Sequence, residues 1–263
     1  MFAMYNVKRD VFGITIAKIY ENEGMELYNT QRNYVHNVLN DYITKDGSLD
    51  SSKIEAEWFP SIKAHIFLSH SHKDISYAIG IAGCLKKKYN IDCFIDSLVW
   101  GYASNLLKQI DDQYCRLSNN RYNYLKRNQS TAHVYMLLEG ALAKMINACE
   151  CLFFLNTPNS TSVTDLTNNN ATSSPWIYNE LLIANTFPHR LPEQGVLLKE
   201  ASKENYSLKV EYSIPLMGLP KISVKELIAS AKRANNKTTR GILNQFYCDT
   251  GFLIEFKNGN TPK

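Results

Sequence analysis

The chain has 263 residues, 44% of them hydrophobic, and a formal net charge of +4 at pH 7. That length holds one large domain, or a domain with a substantial appendage. The mild positive charge falls short of the clustered basic surface that is typical of nucleic-acid binders, so we expect no nucleic-acid partner.

The cysteines and the apolar segments predict where the protein resides. The six Cys show no paired C-x-x-C spacing, and most lie in apolar runs. This pattern is typical of buried free thiols in a reducing compartment, and it disfavours a zinc site. The N-terminus lacks the apolar segment of a signal peptide, and no apolar run reaches membrane-spanning length. We therefore expect a soluble, cytoplasmic protein with no membrane partner.

The first sixty residues read as a mainly helical N-terminal extension. Apolar side chains from Leu27 to Tyr42 recur at helical spacing and predict an amphipathic helix. The apolar run 11–19 is compatible with either a strand or a helix, and 48–60 reads as a polar connector. We expect an extension over 1–60, docked on an α/β domain over 61–263 or used for self-association.

The remainder of the chain alternates strand and helix patterns. Short apolar runs predict strands at 64–69, 91–95, 150–155 and 208–214. Helical periodicity predicts helices within 75–85, 106–117, 134–146, 173–184, 223–231 and 242–247, and a polar surface insertion at 118–131. The alternation favours a parallel α/β sheet with helices on both faces.

Polar residues follow the predicted strands at the ends where parallel sheets bind ligands. They occupy 69–74 after the first of these strands, 96–100 after the second and a long loop at 156–172. Sites in such sheets form in the crevice beyond the carboxyl ends of the strands. The chain has no G-x-G-x-x-G and no Walker lysine loop, so standard dinucleotide and P-loop sites lack support.

The predicted helix at 173–184, S-S-P-W-I-Y-N-E-L-L-I-A, carries the strongest candidate for chemistry. Its serines supply an N-cap, and Pro175 suits the first helical position. Trp176 and Glu180 stand four residues apart and share one helix face. Either could have an ordinary role, the Trp in core packing and the Glu on an exposed surface.

Three segments resemble motifs of the TIR (Toll/interleukin-1 receptor) domain. Residues 67–74, F-L-S-H-S-H-K-D, resemble its first strand and following loop. Residues 94–96, F-I-D, resemble its second strand ahead of the BB loop, and 174–181 resemble its S-x-W-x-x-x-E-L motif. The resemblance covers about residues 64–214 and implies a flavodoxin-like parallel sheet.

The resemblance also implies an activity. Many TIR domains of bacteria, plants and neurons cleave NAD+, and in these the glutamate of W-x-x-x-E is essential. Glu180 is then the catalytic residue, and NAD+ is a substrate, so no cofactor is expected. Stand-alone bacterial relatives, such as those of the Thoeris kind, act in anti-phage defence. They respond to phage and make an ADP-ribose-derived nucleotide signal, which a downstream effector senses.

Roles for the other candidate residues follow from the same resemblance. Trp176 offers a ring platform, Asp96 could hold a hydroxyl and Trp100 shapes the entrance. The remaining substrate-binding candidates are Ser69, His70 and Ser71, which offer donors near ribose or phosphate. TIR enzymes commonly complete their site with the BB loop of a neighbour, which here is 97–104, so self-association is expected.

Ordinary roles stand beside these expectations. Ser71 with Asp74 resembles a helix capping box, and Asp96 could simply close a turn. His70 and His72 lack a third ligand at useful spacing, so no metal site is predicted. Two other functions remain open. One is a non-catalytic TIR scaffold, and the other is a nucleoside deoxyribosyltransferase-like enzyme that acts on a nucleoside.

Overall fold

The computed structural model describes residues 3–32, 39–45, 48–100, 103–161, 171–186, 212–213, 216 and 219–252. The strands are β1 Ala3–Lys8, β2 Ile66–Ser69, β3 Cys93–Phe94, β4 Cys151–Asn156, β5 Ala171–Thr172, β6 Tyr212–Ser213 and β7 Lys221–Ser223. The helices are α1 Val11–Ile19, α2 Glu21–Arg32, α3 Ser51–Trp58, α4 Ile75–Tyr89, α5 Asp96–Val99, α6 Ala103–Ile110, α7 Tyr124–Ala148, α8 Pro175–Thr186, α9 Val224–Arg233 and α10 Thr239–Asp249.

Five strands form one parallel sheet in the order β3-β2-β4-β1-β7. This confirms the predicted parallel α/β architecture. The central strands β2 and β4 are almost completely buried, as expected of strands covered on both faces. β5 and β6 form a separate antiparallel pair. Of the strand predicted at 208–214, the structure describes only β6, which lies outside the main sheet. The remaining residues of 208–214 fall outside the described ranges.

The N-terminus corrects the expectation of a separate helical extension. β1 lies inside the sheet, where it pairs with β4 along its whole length and with β7 on its other side. Five of its six residues are buried. Asn6 interrupts the apolar run, so the segment does not read as a strand from its sequence. A domain boundary at residue 60 would separate this interior strand from its partners.

Two of the helices that follow β1 pack against the helix that follows β2. Both α1 and α2 contact α4 extensively. Glycines allow this close approach, because a Cβ on Gly80 would lie 2.0 Å from the Ala17 carbonyl oxygen. A Cβ on Gly24 would lie 2.2 Å from the Ile79 carbonyl oxygen. The N-terminal helices are therefore part of the domain's main helical packing.

Several predicted helices are confirmed with altered bounds. The run 11–19, which was ambiguous, is helical as α1, and the Asp10 side chain accepts a hydrogen bond from Gly13 N at 2.6 Å. The helix predicted over 27–42 is α2 followed by a 3-10 turn at 39–42, with 33–38 outside the described residues. More than half of the predicted insertion at 118–131 belongs to α7, which begins at Tyr124.

Helices α6 and α8 pack against α7, away from the α1, α2 and α4 group. The connections that contain α1, α2 and α4 proceed across the sheet in one direction, and those that contain α6, α7 and α8 proceed in the other. Right-handed crossovers place helices of two such sets on opposite faces of a parallel sheet. None of the helices in the described ranges has the length and apolar character needed to cross a membrane.

Candidate functional site

The carboxyl edge of the sheet brings together the polar loops that follow β2, β3 and β4. α4 leaves the end of β2 to join one helical group, and α8 follows β4 and joins the other. Because β2 and β4 are neighbours, these chain segments diverge from a topological switch point between them, which is the position where doubly wound sheets bind ligands. The candidate residues are best described from this edge.

α8 begins as the sequence predicts. Ser174 Oγ accepts a hydrogen bond from Ile177 N at 3.3 Å, and Pro175 is the first helical residue. The second turn carries Glu180, whose side chain is only 3% exposed. The alternative of an exposed surface glutamate is therefore wrong. A buried carboxyl group needs partners or a ligand to offset its lost hydration.

The surroundings of Glu180 favour its neutral form. Burial raises the pKa of Glu180 well above its usual value, and the negative charge of Asp96 raises it further. The Ser69 hydroxyl lies close enough to lower the pKa slightly, although it makes no hydrogen bond of standard geometry. Asp96 follows β3 and is partly buried. Three predicted site residues, from two strand ends and one helix, therefore meet at one place.

His70 joins this group from the end of β2. It is 7% exposed, and its Nδ1 lies 3.2 Å from the Leu68 carbonyl oxygen. Burial lowers the pKa of His70, while the nearby charge of Asp96 acts in the opposite direction. The imidazole is therefore neutral at pH 7. A carbonyl oxygen can only accept, so Nδ1 carries the hydrogen and Nε2 is left as a bare acceptor.

Three polar atoms of this group are buried and lack hydrogen-bond partners among the described residues. They are Ser69 Oγ, His70 Nε2 and Glu180 Oε2. Each buried polar atom without a partner costs about 1–3 kcal/mol of stability. In native proteins such atoms are accounted for by an ordered water, an ion or a catalytic role. We refer to Ser69, His70, Asp96 and Glu180 as the carboxyl-edge cluster.

Trp176 lies one turn before Glu180 and is partly buried. Its ring packs against Tyr135 of α7, with the centroids 5.6 Å apart and the planes at 55°. This contact holds the Trp176 indole of α8 against α7 and accounts for part of its burial. The remaining surface is available to a ligand ring, so the prediction of a ring platform stays a prediction.

Trp100 and Ser71 are not part of the cluster. The Trp100 ring is 1% exposed, packs against Phe59 and Phe94, and donates its indole N–H to the Pro60 carbonyl oxygen at 2.8 Å. This corrects the expectation that Trp100 contacts substrate, because a fully enclosed ring has no surface left for a ligand. Ser71 Oγ accepts from Lys73 N and caps the turn at 72–74, which is its ordinary alternative role.

Asp74 has a role that the sequence pattern did not indicate. It is 5% exposed, and it accepts hydrogen bonds from Thr157 Oγ1 at 2.6 Å and from Asn159 Nδ2 at 2.9 Å. Arg9, just beyond β1, lies 3.6 Å from it. Asp74 therefore ties the loop after β4 to the end of β2, where the capping-box pattern predicted only a helix start. Its partners lie more than 60 residues away along the chain, so no local signal could have identified them.

Asn6 was also missed. It lies in the same row of the sheet as Ser69, since both pair with Phe154. Residues in one row of a sheet project from the same face. Asn6 is 2% exposed, and its Oδ1 has no partner among the described residues. Its side chain thus projects on the face of the sheet that also carries Ser69.

A cleft lies elsewhere, between β7, α9 and α10. It has a volume of about 340 Å³ and contains none of the cluster residues. Three of the four charged residues that line it already have partners within the fold. Arg233 pairs with Asp249 at 2.8 Å, and Glu226 accepts from Ser223 N. No group of three His, Cys, Asp or Glu side chains in the described ranges could hold a metal ion.

Fold and site together define an α/β protein with a buried carboxyl group at the carboxyl edge of a parallel sheet, and one oxygen of that group has no hydrogen-bond partner among the described residues. Comparison of the chain with protein-family models, with curated proteins and with solved structures found no match in any of the three.

Proposed function

We propose that the protein cleaves the bond between nicotinamide and ribose in NAD+. The observation that carries this proposal is Glu180, which is 3% exposed and lies near Ser69 and Asp96, and whose Oε2 has no hydrogen-bond partner among the described residues. A scaffold gains nothing from such a group, because its burial lowers stability. An enzyme that must stabilise a developing positive charge does gain from it.

The order of the motif-bearing strands supports the same proposal. β3, β2 and β4 lie side by side, which is the 2-1-3 order of flavodoxin-like sheets, the class to which TIR domains belong. The chain departs from that pattern at the next position, which is filled by β1 from the N-terminus. The departure leaves β2 and β4 adjacent, so the switch point between them is retained.

The reaction is the breaking of one C–N bond. Both bonding electrons leave with the pyridinium nitrogen, so nicotinamide departs as a neutral molecule and needs no general acid. The ribose C1′ acquires oxocarbenium character, which the Glu180 carboxylate stabilises electrostatically. Water then adds its oxygen to C1′ and loses a proton, giving ADP-ribose. An internal nucleophile on the substrate gives a cyclic product instead.

Substrate charge has a direct effect on Glu180. Burial and Asp96 hold the pKa of Glu180 high in the free protein. A bound pyridinium brings a positive charge to the crevice and favours the ionised carboxylate. The group is thereby activated by the substrate that it acts on. Asp96, partly exposed at the same edge, adds to the attraction for a cationic ring.

The wider role that we propose is signalling in bacterial anti-phage defence. The product would be an ADP-ribose-derived nucleotide sensed by a downstream effector, in the cytoplasm and after a phage trigger. Self-association would place the 97–104 segment of one copy over the cluster of another. These points rest on the motif resemblance together with the position of Asp96 at the start of that segment.

The test compares wild type, Glu180→Gln and the matched control Glu139→Gln, an exposed glutamate on α7. Each protein is incubated with NAD+, with and without lysate of phage-infected cells, and nicotinamide release is measured by chromatography. We expect Glu180→Gln to lower the rate at least about 100-fold, because it removes the charge that stabilises the transition state. Glu139→Gln should retain the wild-type rate.

Equal behaviour of wild type and Glu180→Gln under all conditions would overturn the proposal. Mass spectrometry of the product separates free ADP-ribose, a cyclic isomer and a conjugate. Cleavage of nucleosides with no cleavage of NAD+ would indicate instead a nucleoside deoxyribosyltransferase-like enzyme, which also uses a carboxylate at a C–N glycosidic bond.

A further inference from the structure

We infer that copies of this chain associate head to tail, through contact between two different exposed apolar surfaces. The first lies on α1 and α2, is called here the N-terminal patch, and consists of Val11, Phe12, Ile19 and Met25. The second lies around the start of α7, is called here the tip patch, and consists of Tyr114, Leu117, Tyr124 and Leu125. This association does not depend on the proposed activity.

The two patches contain most of the large apolar side chains that the fold leaves exposed. Of eleven such side chains in the described ranges, eight belong to the two patches. Three of them are the most exposed of all, with Val11 at 81%, Tyr124 at 75% and Leu125 at 71%. Apolar side chains scattered singly over a surface need no explanation, but their concentration in two short segments is typical of interaction surfaces.

Polar contacts at the base of the tip patch fix its backbone. Asp111 accepts hydrogen bonds from Arg127 Nε at 2.8 Å and from Ser130 Oγ at 2.5 Å. The Tyr122 hydroxyl donates to Asp112, and the Arg127 guanidinium lies 5.1 Å from the centroid of the Tyr122 ring. The apolar side chains are thus presented by an ordered support. Association then loses less conformational entropy than it would with a flexible loop.

The positions of the patches make a contact within one copy impossible. α1 and α2 pack with α4, while α7 belongs to the group that contains α6 and α8. Right-handed crossovers place these two groups on opposite faces of the sheet. The N-terminal patch and the tip patch therefore face away from each other. Each can be covered by the other only in a second copy.

The charges around the two patches are opposite in sign. Segment 11–29 contains one cation, Lys18, and three acidic residues, which are Glu21, Glu23 and Glu26. Segment 113–126 contains no acidic residue and three exposed cations, which are Arg116, Arg121 and Lys126. None of these six acids and cations, Lys18 aside, belongs to an ion pair in the described ranges. Complementary potentials of this kind favour contact between the two patches.

The same charges specify the geometry of the assembly. Two tip patches would bring cations together and two N-terminal patches would bring acids together, so symmetric pairing of like surfaces is unfavourable. Contact between unlike surfaces leaves one patch open on each partner. Further copies then add until a ring closes or a filament extends. Neither patch includes 97–104, so this contact is distinct from the one proposed for that segment.

The test is sedimentation velocity over a range of protein concentrations, at low and at high salt. Wild type should form species larger than a dimer as its concentration rises, and salt should weaken them by screening exposed charges. Leu125→Gln and Ile19→Gln should each raise the concentration needed for assembly about tenfold or more, because each removes a large apolar side chain from the contact. Met136→Gln and Leu182→Gln, at exposed apolar positions outside both patches, are the matched controls.

Mixing the two variants separates unlike from like contacts. Leu125→Gln retains the N-terminal patch and Ile19→Gln retains the tip patch, so the mixture should form 1:1 dimers at concentrations where each variant alone is monomeric. Both substitutions are at exposed helical positions, and Gln is a good helix former. Circular dichroism of each variant checks that the fold is retained.

Three results would overturn the inference. The first is a wild type that stays monomeric at every concentration. The second is a closed dimer that is weakened by substitutions in one patch alone, because that indicates symmetric pairing. The third is assembly that neither Leu125→Gln nor Ile19→Gln weakens, as expected if the contact runs through 97–104 instead.

Discussion

At the scale of single residues, the burial of Glu180 that we propose for catalysis also lowers the free energy of unfolding. Its pKa in the folded protein is raised by burial and by Asp96. The folded state therefore holds a proton on this group at pH values where the unfolded chain has lost it. The contribution to stability is fully present below the unfolded pKa and is lost as the pH rises toward the folded pKa.

Because this contribution is lost as the pH rises, Glu180→Gln should have a pH-dependent effect on stability. Relative to wild type, the variant should gain stability as the pH rises from about 5 to about 8, by up to about 1.4 kcal/mol for each pH unit. Urea unfolding at several pH values measures the difference. Glu139→Gln, which removes a charge from the exposed face of α7, should show a constant difference. A constant difference for Glu180→Gln as well would show that its pKa is not raised by folding.

At the scale of elements, α8 is positioned by its first turn as well as by its packing. Ser174 Oγ accepts from Ile177 N, while the neighbouring Ser173 is exposed and outside the helix. Both serines suit an N-cap in the sequence, and the hydrogen bond identifies which of them acts. The cap matters for the site because Glu180 stands less than two turns further along.

We expect Ser174→Ala to lower the free energy of unfolding by about 1 kcal/mol, because it leaves a helix N–H without its acceptor. The melting temperature should fall by about 2–4 °C in a chain of this size. Ser173→Ala is the matched control and should have little effect. Equal effects of the two substitutions, measured by thermal unfolding, would contradict the assignment of the cap.

At the scale of the whole molecule, the N-terminal segment is part of the fold. β1 separates β4 from β7, and it is hydrogen-bonded to both. Without it, β4 would expose an unpaired edge and β7 would lose its only strand neighbour among the described residues. Unpaired, hydrophobic strand edges promote aggregation.

Deletion of residues 1–60 should therefore abolish folding of 61–263. Solubility, gel filtration and circular dichroism measure the outcome, and a cooperatively folded monomer of 61–263 would contradict the expectation. A matched pair of point variants tests the same strand. Val7→Asn places a polar group at a fully buried position and should cost about 3 kcal/mol or more. Lys8→Asn, at the exposed end of β1, should cost little.

Local patterns were sufficient for the features that depend on neighbouring residues. The start of α8, the spacing of Trp176 and Glu180 and the strand that ends at Ser69 were all predicted from sequence. Caps, proline geometry and apolar runs act within a turn of helix or along one strand, so they can be read without the fold. The helix predicted within 223–231 is confirmed as α9 for the same reason, and Ser223 and Glu226 form its capping box.

Only the tertiary structure decided which of these elements meet. It buried Glu180 beside Ser69 and Asp96, which lie 111 and 84 positions earlier in the sequence. It also placed β1 within the sheet and enclosed the Trp100 ring in the core. Strand order and burial depend on contacts between segments that are distant in the sequence. A local sequence pattern carries no information about the free energies of these contacts. The sequence by itself determined a carboxyl group on a capped helix, and the fold decided that this group is buried, with one oxygen that has no hydrogen-bond partner among the described residues.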